Sequence, residues 1–150
     1  ARSVGVDGII TPDLPIEESD PIQRIAAQYD IKVIFLVAPT STVERMTKIA
    51  KSGGGFIYCV SVTGVTGTRR EISTDVVPMI TELRKHTKTP ICVGFGISNS
   101  EQARSISDIA DGVVVGSAII DQIESNLGNE TNIIESVEKF ATELIHGIKG

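Results

Sequence analysis

The chain has 150 residues, of which 41% are hydrophobic but only 4% aromatic, with no Trp. That is enough apolar material for one domain, built from Val, Ile, Leu and Ala as a buried parallel sheet requires. The net charge of −5 excludes non-specific nucleic-acid binding, and the lack of a basic run or basic amphipathic helix argues against a membrane-surface role. No apolar stretch reaches the 18 residues of a membrane span, so the expectation is a soluble, cytoplasmic protein. The first residue is Ala1, directly ahead of a strand signal, which suggests truncation or processing.

Five short runs rich in β-branched residues read as buried strands: Val6–Ile10, Val33–Ala38, Phe56–Val62, Ile91–Val93 and Gly112–Val115. Their starts lie 21 to 35 residues apart, the spacing of a strand, a helix and two loops. Helix-start chemistry fills the gaps. Asp20 precedes Pro21 as an N-cap before a first-turn proline, and Ser41–Glu44 and Ser98–Glu101 read as capping boxes. Val76, Val77, Ile80 and Leu83 give the segment Thr74–Lys85 an apolar face. Ile133, Ile134, Val137, Phe140, Ala141, Leu144, Ile145 and Ile148 give the last segment another, with Asn132 as its cap. The alternation predicts a parallel sheet with crossover helices, either open and doubly wound or part of a (β/α)8 barrel. Neither GxGxxG nor GxxxxGK[ST] is present to favour a nucleotide-binding sheet.

In either fold, ligands meet the C-terminal ends of the strands. Those ends carry Thr11–Asp13, Ala38–Thr40, Ser61–Thr68, Gly94–Ser98 and Gly116–Ser117. Gly94, Phe95 and Gly96, with Gly116 and Ser117, would occupy adjacent strand ends. There glycine admits an anion close to the backbone and the helix after Ser117 presents its N–H groups. Taken singly these glycines read slightly better as tight turns. Together they point to phosphate. The run Val62–Arg70 is a long glycine-hinged loop, either a substrate cover or a plain connection. Arg69 and Arg70 read as solvated. Cys59 and Cys92 each sit in an apolar run without a CxxC or clustered His, so buried, reduced thiols are expected rather than a disulfide or a metal site.

These residues carry a resemblance. Asp7-Gly8 with Pro12–Pro15, Phe35–Thr40, Gly55–Tyr58, Ser61 with Thr63-Gly64-Val65-Thr66-Gly67, Val93–Ser98, and Asp111–Ile119 resemble the tryptophan synthase α subunit family over essentially the whole chain. The combination SxTGVTG, GFGIS and GSAI is specific where any lone glycine motif is not. The resemblance implies a single partial domain over 1–150, the C-terminal five βα units of a (β/α)8 TIM barrel, from strand 4 to the last helix. It implies a lyase of tryptophan biosynthesis that cleaves indole-3-glycerol phosphate into indole and glyceraldehyde 3-phosphate by a retro-aldol reaction. By position, Gly67, Gly94, Phe95, Gly96, Gly116 and Ser117 would bind the substrate phosphate. Tyr58, at the end of its strand, would line the indole pocket, or else be a core aromatic. Thr66 would position the catalytic aspartate, and Asp13 would sit at the rim or serve helix entry.

The family's catalytic Glu and Asp lie upstream, after strand 2, so the resemblance places no catalytic residue in this chain. His86 and His146 fall in helical segments. The isolated chain is therefore expected to be inactive or nearly so, a fragment of a polypeptide of roughly 250 residues. The α subunit needs no cofactor. Pyridoxal phosphate belongs to a β subunit, the implied partner in an α2β2 heterotetramer, in the cytoplasm or a plastid stroma. Two alternatives remain: another phosphate-binding barrel enzyme, such as an epimerase, or a non-catalytic phosphate-binding fragment. A metal enzyme is the least supported reading, because no ligand cluster is evident.

Overall fold

A computed structural model describes residues 1–52, 54–60, 76–94 and 96–149. Strands and helices alternate: β1 (Gly8–Ile10), α1 (Asp20–Gln28), β2 (Lys32–Ile34), β3 (Leu36–Val37), α2 (Val43–Ser52), β4 (Ile57–Val60), α3 (Val76–Arg84), β5 (Ile91–Gly94), α4 (Ser100–Ser107), β6 (Gly112–Val114), α5 (Ser117–Glu124) and α6 (Glu130–Lys149). Every strand pairing is parallel. β1 pairs with β2, and β3, β4, β5 and β6 follow in order. The run predicted as one strand over Val33–Ala38 forms two short ladders because it changes partner in mid-course. Ile34 is in register with Ile10, whereas the Phe35 carbonyl already accepts from Tyr58 N at 3.1 Å on the other side.

Side-chain alternation divides the sheet into two unlike faces. Val33, Phe35, Val37, Ile57, Cys59, Ile91 and Val93 are buried, in one cluster with Met46, Ile49, Ile80, Leu83, Ile106 and Leu144 from the helices. Leu36, Tyr58 and Cys92 form a register row on the opposite face and are only partly buried. The helix side is a finished core.

The helices form where expected, with caps one to three residues from the expected positions. Ser19, not Asp20, precedes α1. Its fully buried hydroxyl donates to the Ile16 carbonyl at 2.6 Å and accepts from Gln23 Nε2 at 2.7 Å. Thr42, rather than Ser41, caps α2 by accepting from Arg45 N, while Ser41 Oγ accepts from Ala38 N. Asn99 takes the role assigned to Ser98, accepting from Gln102 N at 2.9 Å, and Gln102 Oε1 reaches back to Ser98 N at 2.8 Å. Asn129, not Asn132, caps α6, accepting from Asn132 N at 3.1 Å. Each shift has one cause. An Asn, Ser or Thr can cap only where its backbone leaves the helix, and the docked length of the helix decides where that is.

The buried faces are narrower than predicted. On α3 the buried set is Val76, Met79, Ile80 and Leu83, and Val77 turns outward. On α6 Leu144 is buried, and Ile134, Ile145 and Ile148 are exposed. α6 lies against α4 so closely that a Cβ on Gly147 would stand 2.6 Å from the Ser100 carbonyl oxygen. At the N-terminal ends of the strands, Asp111 ties three elements together. Its carboxylate accepts from Ile91 N and from Arg84 Nη2, both at 2.7 Å. Arg84 and the Ile91 amide hold this carboxyl below the ordinary aspartate value of 3.8.

Two outcomes follow from this packing. Gly147→Ala forces α6 away from α4 and should cost about 1–3 kcal/mol in chemical denaturation. Because the Asp111 carboxyl is depressed in the folded state, its contribution is present above the unfolded value of 3.8 and is lost as pH falls through the folded one. Asp111→Asn should therefore lower stability near neutral pH by about 1 kcal/mol, a modest figure because the pair is partly solvent-screened. The gap between variant and parent should close under acid.

Candidate functional site at the strand ends

The C-terminal ends of β5 and β6 form the most constrained part of the rim. Gly94 and Val114 are register partners, so Gly96 and Gly116 each stand two residues beyond the same rung of neighbouring strands. Adjacent strands lie about 4.8 Å apart, so both turns face one small region. Gly96 has φ +77°, a conformation that disfavours any side chain.

Gly116 is different. It precedes α5 with φ −122°, and among the described residues no side chain caps this helix and a Cβ at this position would meet nothing within 4 Å. No described side chain or backbone atom therefore occupies the space over the helix start at Gly116. Ser117 follows as the exposed first residue of α5, whose leading N–H groups have no partner within the helix. The helix dipole adds partial positive charge at the same place.

Tyr58 approaches this region from β4. It is the second residue of its strand rather than the last, and it points to the face away from the helices. Its ring leans over Gly94, where a Cβ would stand 2.5 Å from the phenol oxygen and 2.6 Å from Cε2. Glycine at 94 is thus a steric condition for the position of Tyr58. Burial pushes the Tyr58 hydroxyl above its ordinary 10.0. Gly94, Gly96, Gly116, Ser117 and Tyr58 are accordingly brought together on neighbouring strands. Phe95, Thr66 and Gly67, with Arg69 and Arg70 of the same loop, lie outside the described residues.

Asp13 lies elsewhere, exposed in the turn after β1. Beside it the strand ends enclose a cavity of about 680 Å³, bordered by Pro12, Leu36, Ala38, Thr40 and Val60. Lys48 stands on its rim, 2.9 Å from Glu44 and 3.6 Å from Glu17. The sequence pattern marks these strand ends but not Lys48 or Glu17. Only the i,i+4 spacing of Glu44 and Lys48 hinted at them. Thr11 Oγ1, at the end of β1, is buried with no hydrogen-bond partner among the described residues.

His86 pairs with Glu82 at 3.0 Å past the end of α3, and His146 is exposed on α6. Among the described residues, no three His, Cys, Asp or Glu side chains gather to hold a metal, and no helix is long and apolar enough to cross a membrane. Both cysteines are free thiols.

Comparison with known proteins identifies the family and the fold. The family profile described as tryptophan synthase alpha chain matches residues 1–149. The alpha chain of Opitutus terrae is 44% identical over 99% of this chain and 56% of its own length. That of Methanocaldococcus jannaschii is 47% identical over 93% and 49%. Among solved structures, the alpha subunit from Legionella pneumophila superposes with a TM-score of 0.83 at 28% identity, covering 98% of this chain and 53% of that one. Tryptophan synthase from Mycobacterium tuberculosis superposes equally well, at 32% identity over 99% and 54%. The chain spans about half the length of the relatives it matches, and its βα units are those of the family's (β/α)8 barrel. By sequence over its whole described length and by the superposition of its strands and helices, the chain belongs to the tryptophan synthase alpha chain family.

Proposed function

We propose that this chain supplies the substrate-gripping half of a lyase that cleaves indole-3-glycerol phosphate to indole and glyceraldehyde 3-phosphate. The observation that carries the reading is the open space over Gly116 and the uncapped start of α5, beside Gly94 and Gly96 on the adjacent strand. A phosphate dianion there accepts hydrogen bonds from the leading amides of α5, including that of Ser117, and is favoured by the helix dipole. Phe95 and Gly67 join this set by family resemblance. Tyr58, fixed over Gly94, presents an aromatic face and a hydroxyl to the substrate's indole end. Thr66 and Asp13 take the positioning and rim roles the family assigns them.

Cleaving the carbon–carbon bond requires a proton delivered to the indole ring carbon, with removal of the ring N–H and glycerol hydroxyl protons. Two placed carboxylates suit that work. In the family these lie on the part of the polypeptide that this chain does not span, so the chain binds and orients without completing the proton transfers. It needs no cofactor of its own. A β subunit carrying pyridoxal phosphate is the partner that receives the indole.

Titration with inorganic phosphate, followed by thermal shift and phosphorus NMR, tests the grip. Gly116→Ala should leave the melting temperature unchanged without ligand, because the added methyl meets no neighbour among the described residues. It should weaken phosphate binding at least tenfold, about 1.4 kcal/mol, by occupying the anion's space. Unchanged affinity would remove the site. An indole-release assay on the 150-residue chain should show no turnover above background, and substantial turnover would overturn the division of labour.

A further inference from the structure

The anion site depends on where α5 begins, yet apolar burial holds this helix only weakly. Of its eight residues Ala118 alone is buried among the described residues. Ile119 and Ile123 are partly buried, and Ile120 is 57% exposed. The helix is slung between Gly116 and the exposed turn at Gly128, where φ is +90°. A helix this short persists only where a neighbouring element holds it. That neighbour is α6, which spans 20 residues and is itself fixed against α4, with Leu144 in the core.

Two hydrogen bonds meet at Gln122, on the second turn of α5. Ser136 Oγ of α6 donates to Gln122 Oε1 at 2.9 Å, a partly buried contact across 14 positions of sequence. Asn126 Nδ2 donates to the Gln122 carbonyl at 2.8 Å, where the main-chain amide of Asn126 has already turned to Ile123. The second bond finishes the helix. The first fixes it to α6. Apolar contact through Ile119 and Ile123 resists separation of the two helices but is non-directional, whereas a hydrogen bond weakens steeply with misalignment. Direction is what the anion site needs. Eight residues make a helix about 12 Å long, so a swing of about 10° about its far end moves the first turn by about 2 Å. An N–H···O bond, confined to about 2.7–3.2 Å, does not survive that displacement.

We propose that Gln122 and Ser136 are positioning residues for the anion site: their hydrogen bond ties α5 to α6 and holds the first turn of α5 over the opening between Gly96 and Gly116. The inference rests on the phosphate reading of that site. Gln122 lies five residues past Ser117, about 7.5 Å along the helix, so the pair acts through the helix and not on the anion itself. Thr142, also on α6, provides a contrast. Its hydroxyl donates to the Glu138 carbonyl of its own helix at 2.8 Å.

The test titrates the 150-residue chain with inorganic phosphate by phosphorus NMR, well below the melting temperature of the least stable variant. Ser136→Ala and Gln122→Met, which keeps the length of the side chain without its acceptor, should each weaken binding at least threefold. The double variant should bind no more weakly than the weaker single one, because both remove the same bond. Ser136→Thr, which keeps the hydroxyl, and Thr142→Ala should both stay within twofold of the parent. Amide exchange without phosphate supplies a second readout. Ser136→Ala should speed exchange across α5 and leave α2 and α4 unchanged, whereas a general loss of stability would speed all three. Unchanged phosphate affinity in both single variants overturns the proposal. So does a loss that Ser136→Thr fails to restore, or exchange that rises equally in every helix. A parent chain that binds no phosphate overturns the reading of the site and this inference with it. A parent that binds, with variants that bind equally well, overturns the inference alone.

Discussion

The packing of one sheet face against four of the helices governs everything else in this structure. Val33, Phe35, Val37, Ile57, Cys59, Ile91 and Val93 project to the same side and interlock with Met46, Ile49, Ile80, Leu83, Ile106 and Leu144. Burying branched aliphatic chains of this size contributes about 1.5–3 kcal/mol each, far more than any surface ion pair in the molecule. Because the side-chain period of a strand is two, a slip of one residue in any strand would turn its whole set to the other face. The one-sided core therefore sets the register of every ladder.

Register is in turn what makes a rim. Once Gly94 is opposite Val114, the chain must turn over at Gly96 and Gly116 side by side, and α5 must begin there. The glycines then play different parts. Gly94 clears room for the Tyr58 ring, Gly96 takes a left-handed backbone, and Gly116 borders space that no described residue fills. Structural necessity explains the first two and not the third, which is why Gly116 carries the functional argument. At the other end of the strands, Asp111 joins Arg84 to the Ile91 amide and serves the fold alone. The division between an N-terminal end that stabilises and a C-terminal end where binding is proposed is the one expected of such sheets.

The same alternation accounts for the surface left over. A strand that buries Cys59 must present Tyr58 and Val60 to the other side, where they are only partly buried among the described residues. The partly exposed Cys92, in register with Tyr58 on that side, expresses the condition.

Much of this was legible in the sequence. Five β-branched runs separated by amphipathic segments predicted a parallel α/β order, and the glycine pairs at the ends of the fourth and fifth runs marked the rim. These features depend on local spacing, which a linear reading can measure. Cap identity at Ser19, Thr42, Asn99 and Asn129, and the outward turn of Val77, Ile134 and Ile145, were decided by docking. Several residues in each turn could cap, and a broad apolar stripe offers more than one face, so only the neighbouring element selects among them. The contact of Tyr58 with Gly94, 36 positions apart, belongs to the same class. Sequence determined which residues can line a sheet, start a helix or admit an anion. Tertiary structure decided which of them meet, because register and helix docking are set by the shared core.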